Sequence, residues 1–307
     1  MRVLIFHGYL LRGTGSNIYN LSLARALAAL GHQVCLVCQE RSPQALGLPD
    51  TVEIVNPDIG RVLPVYVADA YDGFDAVRFA DLDDGRLDAY LDANVAAVAA
   101  AAERFRPDIA LANHAVMGPA ILARALAGRV PYAVKIHGSA LEYTVRPQPE
   151  RFRPYMLEGL DRAAGVLVGS RHTAESLWEV ADDPGLPART RLGPPGVDVA
   201  AFRPRPATEA AAELAALADR LERGDGAGWG REPGASAALR AFDPRRERIV
   251  GYVGKLIVSK GVDLLLAAWP LVHARHPGAR LEIAGFGEFE DGLRRLAAAV
   301  ARGDLDA

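Results

Sequence analysis

Two nearly unbroken apolar runs, RVLIF at residues 2–6 and QVCLVC at 33–38, bracket a helix-patterned segment, SNIYNLSLARALAALGH, and this arrangement constrains the fold most. A strand with one wet face alternates polar and apolar residues, whereas a run with almost no polar member is covered on both faces. Between the runs, Ile18, Leu21, Ala24 (or Arg25) and Leu27 recur at helical spacing, with Ser16 or Asn17 as the expected cap and Gly31 as the stop. Strand, helix and buried strand predict a parallel sheet flanked by helices.

The pattern recurs. DAYLDANVAAVAAAAERF reads as a helix and PDIALANH as a strand; GPAILARALAG and VPYAVKIHG repeat the pair, as do RPYMLEGLDRA and AGVLVGS, and HTAESLWEVA is a further helix. RLGPPGVDVAAFRP, rich in proline and glycine, reads as a boundary. An alanine-rich helix follows from Thr208 to Glu222, with Leu214, Leu217 and Leu221 on one face, and then a glycine-rich loop, RGDGAGWGREPGAS, expected to be mobile. A second α/β region starts near Arg248: strand IVGYVG, a helix from Lys260, strand ARLEIAG, and helix DGLRRLAAAVA. The expected domains are 1–204, a Rossmann-like unit; 205–247, a helical and glycine-rich insertion; and 248–307, the start of a second Rossmann-like unit. Two strands are too few for an independently stable sheet of this type, so the second domain is expected to be incomplete.

A net charge of −3 gives no footprint for nucleic acid. MRVLIFHG is too short an apolar run for a signal peptide, and the longest uncharged candidate span, Ala93 to Ala102, falls short of the roughly 20 residues a membrane helix needs. Cys35 and Cys38 have CxxC spacing, but on a strand positions three apart point to opposite faces, so they read as buried free thiols in a reducing, cytoplasmic setting.

Ligands of open parallel sheets bind at the carboxyl ends of the strands, and three polar constellations fall there. GTGSN opens the first helix; Gly13 and Gly15 allow close backbone approach, and a helix N-terminus favours an anion. A nicotinamide-dinucleotide site competes, because Glu40 sits near the end of the second strand where a ribose-binding acid is expected. Ile18, however, occupies the place of the third glycine. The second constellation is KIHG, where His137 ends a strand; a histidine there hydrogen-bonds a sugar hydroxyl, stabilises developing charge, or simply satisfies a backbone carbonyl. The third is GKLIVSKG, which places Lys255 and Lys260 where a strand gives way to a helix, with Asp263 in the first turn as a possible cap. Two ammonium groups, free backbone N–H groups and the helix dipole make an anion site.

Taken in order and spacing, GTGSNIYNLSLARALAALGHQV, KIHG, VLVGSRHTAESL, PPGVDVAAFRP, GYVGKLIVSKGVDLLLAAWPLV and LEIAGFGEFEDGL resemble glycosyltransferase family 4, the retaining nucleotide-sugar transferases of GT-B fold. The resemblance implies an α/β fold of two Rossmann-like domains and transfer of a sugar from a nucleoside-diphosphate sugar to an acceptor hydroxyl. No metal or other cofactor is implied. It assigns Gly13 and Gly15 to a loop facing the donor phosphates and acceptor, and His137 to a catalytic position near the transferred sugar. Lys260 falls on the donor diphosphate, with Lys255 where the family more often has arginine. Gly285 and Gly287 fall in a loop near the nucleotide base, and Gly196 to Asp198 enter an inter-domain hinge. The acceptor is left open as a sugar, lipid or small metabolite. The chain departs from the family in one respect: no Glu-x7-Glu segment precedes Ala307, so a truncated transferase with little activity of its own is expected, and a sugar-nucleotide-binding module without turnover is the alternative. RPQPERFRPYML mixes Arg146, Arg151 and Arg153 with Phe152, Tyr155 and Met156, a pattern compatible with weak peripheral contact to an anionic membrane, although Pro147, Pro149 and Pro154 should interrupt a long amphipathic helix.

Overall fold

The computed structural model describes residues 1–67, 69, 71, 73–224 and 234–304. The chain divides into two compact units, Met1–Val197 and Asp198–Ala307. In the first, β1 (Arg2–Phe6) leads through a glycine-bearing loop into α1 (Gly15–Ala29) and β2 (Gln33–Val37). Then come β3 (Val52–Val55), β4 (Val62–Val65), β5 (Asp75–Arg78), α2 (Asp84–Phe105), β6 (Ile109–Asn113), α3 (Gly118–Leu126) and β7 (Tyr132–Ile136). The unit closes with α4 (Pro149–Asp161), β8 (Gly165–Val168), α5 (Arg171–Ala181), α6 (Leu186–Arg189) and β9 (Thr190–Leu192).

Among the described residues, seven of these strands form one sheet in the order β3-β2-β1-β6-β7-β8-β9, with every pairing parallel. Val3 and Ile5 pack with Leu21 and Ala24 of α1 on one face, while Leu4 and Phe6, alternating with them, are buried as well. Both faces are therefore covered, which is why the run carries no polar residue from Val3 to Phe6. The chain works outward from β1 to β3 and then crosses back to β6, so β1 and β6 flank the point where strand order reverses. That is where such sheets bind ligands.

Local details differ from expectation for identifiable reasons. The N-cap of α1 is Thr14, whose side chain makes no capping bond to the helix backbone; Ser16 and Asn17 lie inside the helix. Gly31, at φ +81°, ends the helix as expected, with its N–H on the Ala28 carbonyl at 2.9 Å. Helix α4 begins with Pro149 at its first turn and runs through Pro154. Phe152 and Met156 on it are fully buried. Arg151 donates to the Leu82 carbonyl and Asp84, Arg153 to the Val180 and Ala181 carbonyls, and Arg146 to Ser176, Glu142 and Glu179. Phe152 and Met156 of the basic-aromatic segment are thus core residues, and its arginines are engaged in hydrogen bonds. No helix among the described residues is long and apolar enough to cross a membrane. Cys35 and Cys38 are buried free thiols, and burial pushes Cys38 up to about 12.

The second unit contains α7 (Ala207–Arg223), α8 (Ala235–Arg240), β10 (Arg248–Val253), α9 (Val262–Arg275), β11 (Ala279–Ala284) and α10 (Glu290–Arg302). Most of the expected mobile loop, residues 225–233, lies outside the described residues. Strands β10 and β11 pair in parallel from Arg248↔Ala279 to Val253↔Ala284, and Leu256, Val262, Leu266 and Leu293 form the core beneath them. Val250 and Val253 of β10 are exposed. Three positions apart, the two point to opposite faces of the strand, so β11 and the small core leave part of each face uncovered among the described residues. The division between units falls after Val197, inside the proline- and glycine-rich stretch and before Pro204.

Candidate functional site

Strand register determines which residues share the sheet edge. Phe6 pairs with Ala112, so His7 follows β1 level with Asn113; Asn113 pairs with Lys135, so His137 projects just past β7. His7 is thereby gathered at adjacent strand ends with His114 and His137, which follow it by more than a hundred residues of chain. The His114 and His137 rings lie 4.8 Å apart, and His7 stacks on His114 at 6.2 Å. Tyr66 tilts against His114 at 4.6 Å, and Tyr19 of α1 meets His137 edge-on at 5.1 Å.

Asparagines link the cluster. His137 Nε2 is 2.8 Å from Asn113 Oδ1, Asn113 Nδ2 donates to Asn20 Oδ1 at 2.9 Å, and Asn20 Nδ2 reaches His7 Nδ1 at 3.0 Å. His7 Nε2 bonds Asn17 Oδ1 at 2.9 Å. Asn17, expected as a helix cap, is drawn into this network instead. His114 differs: both its ring nitrogens are buried without a hydrogen-bond partner among the described residues, and its backbone is held at φ +71°. Its N–H donates to the Lys135 carbonyl at 2.8 Å.

Burial leaves all three rings neutral. It lowers His7 to about 4 against the pull of Asn17 and the Leu10 carbonyl. It lowers His137 to about 3, reinforced by His7 and Lys135, and His114 falls well below the ordinary range with help from its two neighbours. In the free chain His137 is therefore a neutral imidazole, suited to hydrogen bonding. Lys135, 1% exposed, donates to the Gly193 carbonyl and lies 5.6 Å from the Tyr19 ring centroid. Burial lowers its pKa.

Gly13 and Gly15 lie at the same edge. Gly13 sits at φ +89°, where only glycine is at ease, and Gly15 opens α1 with open space where a Cβ would stand. The loop before them is anchored by Glu40, which accepts from Arg12 Nη2 and from the Ser42 N–H, each at 3.0 Å, and from the Leu11 N–H at 3.4 Å. Burial alone would raise its pKa, but these bonds hold it below the usual value. Its carboxylate is committed to the loop, which removes it as a ribose-binding acid.

In the second unit the GKLIVSKG and GFGEFE loops are stitched together. Gly254 N–H donates to the Ala284 carbonyl at 3.1 Å, Leu256 N–H to the Phe286 carbonyl at 2.8 Å, and Phe289 N–H to the Leu256 carbonyl at 3.1 Å. A Cβ on Gly285 would collide with the Gly254 carbonyl oxygen, and one on Gly287 with that of Leu256. Close backbone approach is reason enough for both glycines. Lys255 is half-buried, and Lys260 is exposed at the end of a single 3-10 turn, Val258–Lys260. The helix expected from Lys260 starts at Val262, because Gly261, its N-cap, adopts φ +64°. Asp263 does not cap it; its Oδ1 is buried without a hydrogen-bond partner among the described residues, and a carboxylate there weakens the pull of the helix end on an anion. Asp198 Oδ1 accepts from the Ala200 and Ala201 N–H groups at 2.9 and 3.2 Å, fixing a local turn just after Gly196.

The residues missed at the sequence level are His7, Asn17, Asn20, Asn113, His114 and Lys135. One signal was available: IFHG and KIHG both end an apolar strand with His-Gly.

Comparisons with known proteins agree with this architecture. The model of the Glycosyl transferase 4-like domain matches residues 14–196, more than half of the chain. A glycogen synthase of Alkalilimnicola ehrlichii is 36% identical over 145 residues, 46% of this chain and 24% of that protein, so the match spans about a quarter of the relative's length. Among solved structures, sucrose-phosphate synthase from Thermosynechococcus elongatus superposes with a TM-score of 0.55 at 20% identity, covering 99% of this chain and 68% of that one. Anabaena HepE, solved in complex with UDP and glucose, gives 0.57 at 15% identity, covering 100% and 67%. At these identities the likeness is one of fold, the GT-B type.

Proposed function

Because the chain belongs to the glycosyl transferase 4-like family, we propose that it takes part in moving a sugar from a nucleoside-diphosphate sugar to an acceptor hydroxyl, in the cytoplasm, with retention at the anomeric carbon. The observation that carries the reading is the neutral His137, held by Asn113 and packed on His114 just past β7, at the same carboxyl edge of the sheet as the Gly13–Gly15 loop. In this reaction the bond from the anomeric carbon to phosphate oxygen breaks with its electrons going to the nucleoside diphosphate. The acceptor oxygen bonds the same face, and its proton passes to the departing phosphate. Negative charge grows on the diphosphate, and fixed cations aimed there lower the barrier. Lys260 and Lys255 are assigned that task. Lys255, lacking the bidentate fork of an arginine, makes the weaker contact. Gly285 and Gly287 keep the neighbouring loop close enough to border the nucleotide. Gly196 and Asp198 are proposed as the hinge segment. Uridine is the first base to test, since HepE was solved with UDP.

Binding is tested by thermal shift and calorimetry of the full chain with UDP, GDP, ADP and NADH. One nucleoside diphosphate should raise the melting temperature, an effect lost in Lys260→Ala, while NADH should not bind. NADH binding without any nucleoside-diphosphate binding would overturn the proposal. Donor bound but never turned over would support the binding-module reading instead. For a turning-over preparation, the product's anomeric configuration checks retention, and a rate unchanged by EDTA checks independence from metal.

A further inference from the structure

The imidazole of His137 is not free to choose which nitrogen carries its proton. Its Nε2 faces Asn113 Oδ1 at 2.8 Å, and that amide's orientation is set elsewhere. Asn113 Nδ2 spends one hydrogen on the Phe6 carbonyl at 3.0 Å and the other on Asn20 Oδ1 at 2.9 Å. A backbone carbonyl only accepts, so turning the amide over would set two oxygens against each other. Asn20 is pinned in the same way: its Nδ2 donates to the Ser16 carbonyl at 2.9 Å and to His7 Nδ1 at 3.0 Å. His7 Nδ1 must then accept, its proton sits on Nε2, and Nε2–H donates to Asn17 Oδ1 at 2.9 Å. Asn17 closes the run, donating from Nδ2 to the Arg12 carbonyl at 2.6 Å. Three carbonyls, of Phe6, Ser16 and Arg12, thus impose one direction on every bond, and Asn113 Oδ1 has no option but to accept from His137.

We propose that His7, Asn20 and Asn113 are positioning residues that lock His137 in the Nε2–H tautomer, so that its Nδ1 meets the substrate as a hydrogen-bond acceptor. The inference rests on the reading of His137 as a substrate-contacting residue. It deepens that reading: a group at Nδ1 must bring a hydroxyl or N–H hydrogen, and an anionic oxygen such as a phosphate is refused. The titratable and charged groups facing His137 are His7, His114, Tyr19 and Lys135. His7 and Lys135 oppose a second proton on the ring. His114 packs against it, and neither of its ring nitrogens makes a hydrogen bond among the described residues, to His137 Nδ1 or to any other group.

The test uses the full chain labelled with 15N-histidine, with long-range proton–nitrogen correlations of the imidazoles recorded at pH 7 and through a descending titration. His137 is assigned by the signals lost in His137→Gln. The wild type should show one His137 tautomer, protonated at Nε2 and bare at Nδ1. Asn113→Leu should return it to an average of two tautomers. Asn113→Asp should raise its titration midpoint by about one to three units, because a carboxylate favours the imidazolium. A wild-type proton on Nδ1, or a spectrum indifferent to Asn113→Leu, overturns the proposal. Should the Asn113 variants fail to fold, the wild-type spectrum, assigned through His137→Gln, decides alone. No spectrum needs a sugar donor, so the two readings fail separately. A wrong tautomer overturns the relay even in a proven transferase. The predicted tautomer in a chain that binds no nucleoside diphosphate sustains the relay and removes only its link to glycosyl transfer.

Discussion

Folding removes charge from His7 and His137, and the cost is readable in pH. His7 falls to about 4 and His137 to about 3 from an ordinary 6.5, chiefly through burial. Below 6.5 the unfolded chain binds protons that the folded chain refuses until those lower values are reached, so stability falls as pH drops through this window. For His7 alone, 1% exposed, the loss by pH 4 should be roughly 3 kcal/mol. Urea unfolding at pH 7 and pH 4 checks it, and His7→Gln, less stable at pH 7 for want of its network, should show a shallower decline. Lys135 is a different buried charge. Its Nζ meets a carbonyl rather than a carboxylate among the described residues, so desolvation is poorly offset. Lys135→Met should leave stability within about 1 kcal/mol of wild type or raise it, as measured by the denaturant midpoint.

At the scale of elements, α3 and α4 depend on a glycine. A Cβ on Gly159 of α4 would overlap Pro119 and Ala120 of α3, so Gly159→Ala should cost about 1–3 kcal/mol by overpacking, seen as a lower urea midpoint. Helix α2 depends on its cap: Asp83 Oδ1 accepts from the Arg86 N–H at 2.8 Å, and Asp83→Ala should cost about 1 kcal/mol. Other elements were harder to read. Strands β3, β4 and β5 span four residues each, β4 contains Pro64, and their short runs lack a period long enough to register. Thr14 caps α1 because Asn17, the better capping residue by type, finds stronger use between His7 and Arg12.

Across the whole molecule the two units differ in the depth of their cores. In the first, β1 and β2 are buried from Val3 to Phe6 and from Val34 to Val37, on both faces. In the second, β10 pairs with β11 over a four-residue core and leaves Val250 and Val253 exposed. Local opening is easier where fewer apolar groups lie over the backbone hydrogen bonds. Native-state hydrogen exchange should therefore be faster for amides of residues 249–253 than for those of residues 3–6, and equal protection factors would refute the difference.

Hydrophobic periodicity is local, so the alternation of strands and helices, the sheet buried on both faces, the free cysteines and the glycine loops were all present in the order of residues. So was the family resemblance, which rests on motifs in register along the chain. The tertiary structure alone decided what surrounds His137. Strands β1, β6 and β7 are neighbours in space but not in sequence, and the crossover from β3 back to β6 brings His7, Asn20, Asn113 and His137 within bonding distance. A single histidine before a glycine states no protonation. Its burial, its neighbours and the direction of its hydrogen bonds exist only once the sheet has closed around it.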